Sequence, residues 1–579
     1  MLRRFDGRWM AAACVGVAVV VRAVFVLATR DDPVFRVPYL DGAFYHAWAR
    51  SLAEGRGDFQ GPYFLGPLYP HALSWLYRVT GPEPFAVRVL QSALGVLGVA
   101  LVLALGRRLF GNLAGCAAAL LLGLYGTLAF HEGLLVMESL LLTLVLGAFA
   151  VVLLPRWPKP WRASLAGLLL GLATLGRGTI LLAAPVVVAM LWDAEDRRRS
   201  WQSITVAGIV WFLVLAPVLA RNRAQGGGLI LTTNAGVNFY AGNAPRANGR
   251  FRQPPGVRFF TTPLPDLEDA ALPSAVVARA LTVEAIAGTR EAADSSMWLA
   301  RSWEWIRQEP GRFAWLLLRK VGLLLQAREI PQIESYAFHR DRIGTFRMFF
   351  VDLTWILPLA SLGVWRARRE KRAGTGFVIG FAAATLLPCV LFFVTARYRL
   401  AALPYVALLA GFGAATLGTW VARRQTTRAV MALVILVALG ALTRVGAKPP
   451  RTAPGWQNAQ MAERVYALGD LEAAIRYQEE AARWLPRRME VQLNLALYWS
   501  ERDAPGDVER AERLLLELLL RTPGEPLLHF NVGVIFEQQG KLREARAAWA
   551  RALRLDPNFA PARDRLRAVN APDTLQPRP

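Results

Sequence analysis

The 579-residue chain predicts an all-α protein in two parts, a polytopic helical membrane bundle of about eleven spans followed by a C-terminal α-solenoid. Hydrophobic residues make up 54% of it and charged residues only 19%, and the apolar residues fall in long runs, not in the short periodic stretches of a soluble core. Lys and Arg gather in the short segments between alternate runs. Beyond Gly446 the long runs stop, and proline and glycine recur at a regular spacing.

A helix needs about 20 mainly apolar residues to cross a bilayer. Such runs lie at 10–28, 86–106, 112–130, 134–154, 162–176, 178–192, 202–220, 347–365, 376–395, 399–419 and 429–445, the fifth and sixth being short. Short-loop Lys and Arg stay in the cytoplasm, so Arg3, Arg4 and Arg8 hold the N-terminus inside. The clusters at Arg107 and Arg108, Arg156 to Arg162, Arg197 to Arg199, Arg366 to Arg372 and Arg423 to Arg428 then fall on that same side. Phe313 to Gln326 is apolar too, but counting it as a span would carry the Arg366 to Arg372 cluster outward. It is expected in the outer interface, with Arg319 and Lys320 snorkelling. Eleven spans leave the C-terminus outside. No small-x-small cleavage site precedes Asp31-Asp32-Pro33, so the first run is read as an uncleaved span. The expected organisation is a membrane domain at 1–445 with outer loops 29–85 and 221–346, a linker at 446–455, repeats at 456–570 and a flexible tail at 571–579.

The net charge of +24 is largely accounted for by the inside loops, and no nucleic-acid-binding motif accompanies it. Cys14, Cys116 and Cys389 all fall in expected spans, which predicts no structural disulfide. The five histidines are scattered and no CxxC or HxxxH pair occurs. Asp266-Leu267-Glu268-Asp269 fits a helix start better than an Asp-x-Asp site, so neither metal nor cofactor is expected.

Pro486, Pro523 and Pro557 close successive helix pairs 37 and 34 residues apart, and Gly469 and Gly540 mark internal turns. Ala474 and Ala481 recur as Ala545 and Ala552, and Gly533 falls where two helices must approach closely. The pattern resembles the tetratricopeptide repeat, with three units and a capping helix near 560–569. Such a stack implies a groove for a protein partner, or simple packing against neighbours.

Asp41 opens the first hydrophilic segment after the first span and is followed by aromatic residues at helical spacing. A carboxylate just outside a bilayer is a candidate catalytic base; Asp-Gly is also a common turn and cap pair. Arg177, Arg397 and Arg399 are cations that this topology places at the outer face, against the inside bias, either as binders of an anionic partner or as interfacial anchors. Glu138 sits about four residues into an apolar run and needs a partner, expected to be Arg177 or the active-site cavity; it is either a structural ion pair or a substrate contact. Asn238, Tyr240 and Asn243 offer amides and a phenol suited to sugar hydroxyls, although asparagine-rich turns are natural in any loop. The segment from Arg221 to Arg312, with helical stretches near 274–288 and 293–308, is too long for a mere connector and is expected to cover the site.

Tyr39 to Gly55, Gly66-Pro67-Leu68-Tyr69-Pro70, Gly171 to Arg177, Asn238 to Asn243 and Arg397-Tyr398-Arg399-Leu400 occur in an order that resembles bacterial GT-C glycosyltransferases of the protein O-mannosyltransferase and aminoarabinose-transferase type, in a branch with C-terminal tetratricopeptide repeats. The resemblance covers roughly residues 1–445. It implies that Asp41 is the family's acidic position; Gly42 stands where relatives carry a second acid, and no lysine precedes Pro67 to bind phosphate. Arg177, Arg397 and Arg399 are left to bind the donor phosphate. The implied activity is transfer of a sugar from a polyprenyl-phosphate carrier to a hydroxyl of a protein, lipid or glycan on the outer face of a bacterial inner membrane. A phosphate leaving group is already anionic, so one base and several cations suffice, and in-line attack would invert the anomeric centre. Rival readings are an oligosaccharide polymerase or ligase, and a non-enzymatic glycan transporter or envelope assembly factor that recruits partners through its repeats. The absence of Gly/Pro-interrupted inverted repeats weighs against transport.

Overall fold

The structure, a computed structural model, describes residues 7–58, 61–154, 157–252, 295–332, 334–446 and 453–570. It divides into two compact units, one holding the described residues up to Gly446 and the other those from Ala453. Among the described residues there are helices and two isolated bridges, and no strand.

In the first unit, α1 (Gly7–Ala28) leads to α2 (Asp41–Ala53) and α3 (Leu68–Thr80), then to α4 (Pro84–Phe110) and α5 (Asn112–Gly123). The chain next bends by 118° between α6 (Gly126–Gly133) and α7 (Glu138–Leu153). After α8 (Lys159–Gly176) come a 3₁₀ segment (Gly178–Ala183), α9 (Ala184–Leu191), α10 (Arg197–Ala224) and the short α11 (Ala235–Gly242). The described residues resume with α12 (Ser295–Gln308) and α13 (Pro310–Leu324), and the unit closes with α14 (Leu353–Arg369), α15 (Thr375–Leu391), α16 (Leu403–Ala422) and α17 (Thr426–Arg444).

Every one of the eleven expected spans contains a helix, but the count of eleven is not what helix length gives. Among the described residues five helices are long and apolar enough to cross a membrane, or six with the bent α6 and α7 as one span. Short, broken helices account for the difference: 178–192 is a 3₁₀ segment joined to an eight-residue helix, and 112–130 breaks after Gly123. Sequence hydropathy registers apolar length and is blind to such breaks. α13 is 15 residues, too short for a span, and buries Leu316, Lys320 and Leu323 on one face.

Small residues let these helices approach. A Cβ on Gly106 would sit 2.7 Å from the Gly115 Cα, and Gly363 and Gly413 seat α14 and α16 backbone against backbone. Polar groups in this apolar setting must be paired. Arg22 donates from Nε to Glu132 Oε2 at 2.8 Å and from Nη2 to Oε1 at 2.9 Å. Gln91 Nε2 donates to the carbonyls of Glu132 and Leu134, and Tyr69 donates to Gln91. These bonds hold the α6 to α7 bend against α1, α3 and α4.

The second unit is three antiparallel helix hairpins, α18 (Ala453–Ala467) with α19 (Leu471–Trp484), α20 (Met489–Arg502) with α21 (Asp507–Arg521), and α22 (Pro526–Gln538) with α23 (Leu542–Leu555), capped by α24 (Ala560–Asn570). Gly469 and Gly540 turn the outer hairpins at φ +84° and +75°, as their spacing predicted. A Cβ at Gly533 would strike the Trp549 indole, and Ala474, Ala481, Ala545 and Ala552 are fully buried. One boundary moves: α18 opens at Ala453, inside the expected linker, because Pro454 falls in a first helical turn, where proline costs nothing.

Candidate active site

Leu40 precedes α2 at φ 45°, ψ −115°, a region an L-residue enters only at a cost of about 1–3 kcal/mol, so its surroundings dictate its conformation. The consequence is that Asp41 starts α2 with its side chain turned into the unit, 9% exposed. Arg397 comes from the short helix Ala396–Arg399, capped by Thr395, and Arg177 from the residue that ends α8.

Arg397 Nη1 donates to Asp41 Oδ2 and its Nε to Glu138 Oε1. Arg177 Nη2 donates to the same Glu138 oxygen at 2.6 Å, and its guanidinium lies 4.5 Å above the Tyr398 ring. Two carboxylates and two guanidiniums form one chain, Asp41–Arg397–Glu138–Arg177, of formal charge zero.

This chain borders a cavity of about 400 Å³. Asp41, Tyr45, Arg177, Arg397 and Asn238 supply its polar wall, and Leu181, Leu182, Leu391, Phe392 and Phe393 an apolar one. Tyr45 follows Asp41 by one helical turn; burial and then the Asp41 carboxylate push its hydroxyl above the ordinary phenol range, so it remains a donor. A groove with cations and one carboxylate at one end and apolar walls elsewhere suits a ligand that is anionic at its head and hydrocarbon beyond.

The expected residues divide. Asp41, Arg177, Arg397 and Asn238 line the cavity. Glu138 does not: at 2% side-chain exposure it lies behind the two arginines as an ion pair, the first of its two readings. Arg399 is turned away and buried, with Nη1 on the Gln326 carbonyl at 2.6 Å and Nη2 on Glu329 at 2.6 Å, so it pins residues 326–329 and is not a cavity cation. Asn243 is also corrected from contact to scaffold. Its amide donates to the Phe239 and Leu391 carbonyls and its oxygen accepts from Lys320 at 2.7 Å. Tyr240 packs on Trp298 with ring centroids 4.9 Å apart and planes tilted by 52°, outside the cavity. The segment expected to cover the site contributes a wall through Thr232, Asn234, Ala235 and Asn238, and the helix expected near 293–308 is α12. The helical stretch near 274–288 and the Asp266–Asp269 run lie outside the described residues. Sequence reading missed Tyr45 and Tyr398. The i, i+4 step from Asp41 and the position between two arginines were the available signals. Among the described residues, no cluster of His, Cys, Asp and Glu could hold a metal ion.

Residues 62–220 match the family of dolichyl-phosphate-mannose-protein mannosyltransferases, and residues 526–559 match the tetratricopeptide repeat. The mannosyltransferase-type match thus falls in the first unit and the repeat match in the second. The family match contains Glu138 and Arg177; Asp41 and Arg397 lie outside it. No curated protein matches the chain significantly. Similar solved structures include the archaeal oligosaccharyltransferase AglB from Archaeoglobus fulgidus, in complex with an inhibitory peptide and a dolichol-phosphate, at 14% identity and TM-score 0.42 over 79% of this chain and 59% of that one. ArnT from Cupriavidus metallidurans bound to undecaprenyl phosphate is similar at 15% identity and TM-score 0.42, over 84% of this chain and 74% of that one. The chain thus spans about three fifths of the AglB it matches.

Proposed function

We propose that the protein is a membrane glycosyltransferase that moves a sugar from a polyprenyl-phosphate donor to an acceptor hydroxyl on the outer face of a bacterial inner membrane, with inversion. The observation that carries this reading is the Asp41–Arg397–Glu138–Arg177 chain at the edge of an apolar-walled cavity. Asp41 takes the proton of the acceptor hydroxyl as its oxygen attacks the anomeric carbon, and the bond to the phosphate oxygen breaks. The donor phosphate enters with one negative charge and leaves with two. Asp41 loses its charge as the phosphate gains one, and Arg397, which faces both, transfers its partnership from carboxylate to phosphate. Site charge is therefore constant through the step, which avoids placing a net new charge in a low-dielectric setting. Arg177 supplies the second guanidinium, and Glu138 fixes both forks.

The outer-face placement rests on the Lys and Arg bias of the short loops, and the inward N-terminus and outward repeats follow from it. The repeats select the acceptor or recruit a protein partner along their groove. Mass spectrometry of envelope proteins and lipids tests the whole reading: a deletion strain loses a glycan that wild type restores and Asp41→Asn does not. A glycan profile unchanged by the deletion sinks it.

A further inference from the structure

α17 ends at Arg444 and α18 begins at Ala453. The eight residues between them, Val445 to Thr452, reach at most about 28 Å when fully extended. They end at the start of α18, which lies at one edge of the solenoid. A Cβ on Gly455 would lie 2.7 Å from the Trp484 Cβ, and the Arg488 guanidinium sits 5.4 Å over the Trp456 ring. Arg483 and Arg521 line one groove. The start of α18, the ends of α19 and α21 and the start of α20 therefore share this edge.

What the edge displays is unusual for a soluble surface. Leu520 is 86% exposed, Trp484 45% and Trp456 37%. Arg483, Arg487, Arg488 and Arg521 are exposed around them. Glu480 pairs with Arg483 at 2.9 Å and Glu517 with Arg521, while Arg487 and Arg488 join no ion pair among the described residues. Glu490 and Glu517 are exposed acids nearby, and Glu479 lines the same groove. Exposed tryptophan beside arginine is the composition of a headgroup-level contact, where the indole has an apolar body and a polar tip.

We infer that this edge docks on the bilayer that α17 leaves, with Trp456, Trp484 and Leu520 seated at headgroup depth and Arg487 and Arg488 binding anionic phospholipid. The tether length keeps the edge within reach, the unneutralised arginines select anionic headgroups, and the exposed apolar residues gain a cover. The solenoid is thereby held with this edge toward the membrane.

Hydrogen exchange of the full chain tests it, in nanodiscs of phosphatidylcholine alone and of phosphatidylcholine mixed with phosphatidylglycerol. Each arginine at an anionic surface is worth about a fivefold preference. Amides at 484–490 and 519–525 should exchange at least about tenfold more slowly in the anionic discs, while the opposite-edge turns at 468–470 and 539–541 stay unchanged. Arg487→Glu with Arg488→Glu should abolish the lipid difference, and Trp484→Ala should reduce protection; unchanged exchange inside α20 and α22 would show both variants folded. Equal exchange in the two lipids overturns the inference. So does protection that appears only after envelope extract is added, since the occupant would then be a protein.

Discussion

Asp41→Asn separates chemistry from architecture at the site. The amide has the shape of the carboxylate, its oxygen still accepts from Arg397 Nη1, and Arg397 keeps Glu138. The folding cost is therefore that of one weakened charge-assisted bond, about 1.5–3 kcal/mol, below the roughly 3–5 kcal/mol of stranding a buried charge. A positioned base contributes about 10²- to 10⁴-fold to rate, or roughly 3–5 kcal/mol of barrier. The expected result is a kcat lower by two to four orders of magnitude, with donor KM unchanged or reduced because Arg397 no longer shares itself with the Asp41 carboxylate. Purified protein in nanodiscs, a short-chain polyprenyl-phosphate sugar and a hydroxyl acceptor give the rates, and a thermal melt gives the stability. Retention of more than about a tenth of kcat, or a loss confined to KM, would refute Asp41 as the base.

The two cavity arginines should behave unlike the third. Arg397→Ala and Arg177→Ala are expected to raise donor KM and lower kcat, with lysine rescuing each only in part because it lacks the planar fork; normal turnover by both alanine variants would remove the phosphate site. Arg399→Ala should instead destabilise by up to about 3 kcal/mol, because Glu329 loses its counter-charge and keeps only the Tyr125 and Thr127 hydroxyls, seen as a lowered Tm with residual activity in the folded fraction. Leu40→Gly removes a left-handed strain and is expected to raise stability by about 1 kcal/mol on thermal denaturation, and a lowered Tm would show that Leu40 packing outweighs its backbone. Lys320, fully buried in the interfacial helix α13, has its pKa pushed down to about 7 by burial. Unfolded protein then binds the extra proton between about pH 7 and pH 10, so stability rises with pH across that window. Lys320→Met should flatten the rise in melts taken across the window, and an unchanged slope would assign it to other groups.

Asp41 and Arg397 are 356 residues apart, yet each stands out in the sequence because it breaks a local rule: a carboxylate at the end of an apolar run, a cation on the side that the expected topology leaves poor in charge. Arg399 breaks the same rule and was misread. Two residues along a single helical turn point to different faces, so Arg397 reaches Asp41 and Glu138 while Arg399 reaches the Gln326 and Arg328 carbonyls and the Glu329 carboxylate, partners some 70 residues away that no local pattern announces. Asn243 failed for a related reason, since an asparagine in an irregular outer segment serves equally to read a ligand or to tie carbonyls, and only the neighbouring Leu391 and Lys320 decide which. The repeats were read more securely because glycine, alanine and proline report on contacts inside one hairpin of about 34 residues. Local constraint thus marks where a site must lie, and long-range pairing decides which members of the marked set enter it; Glu138, marked by its cost in an apolar run, enters as the support that both cavity arginines share.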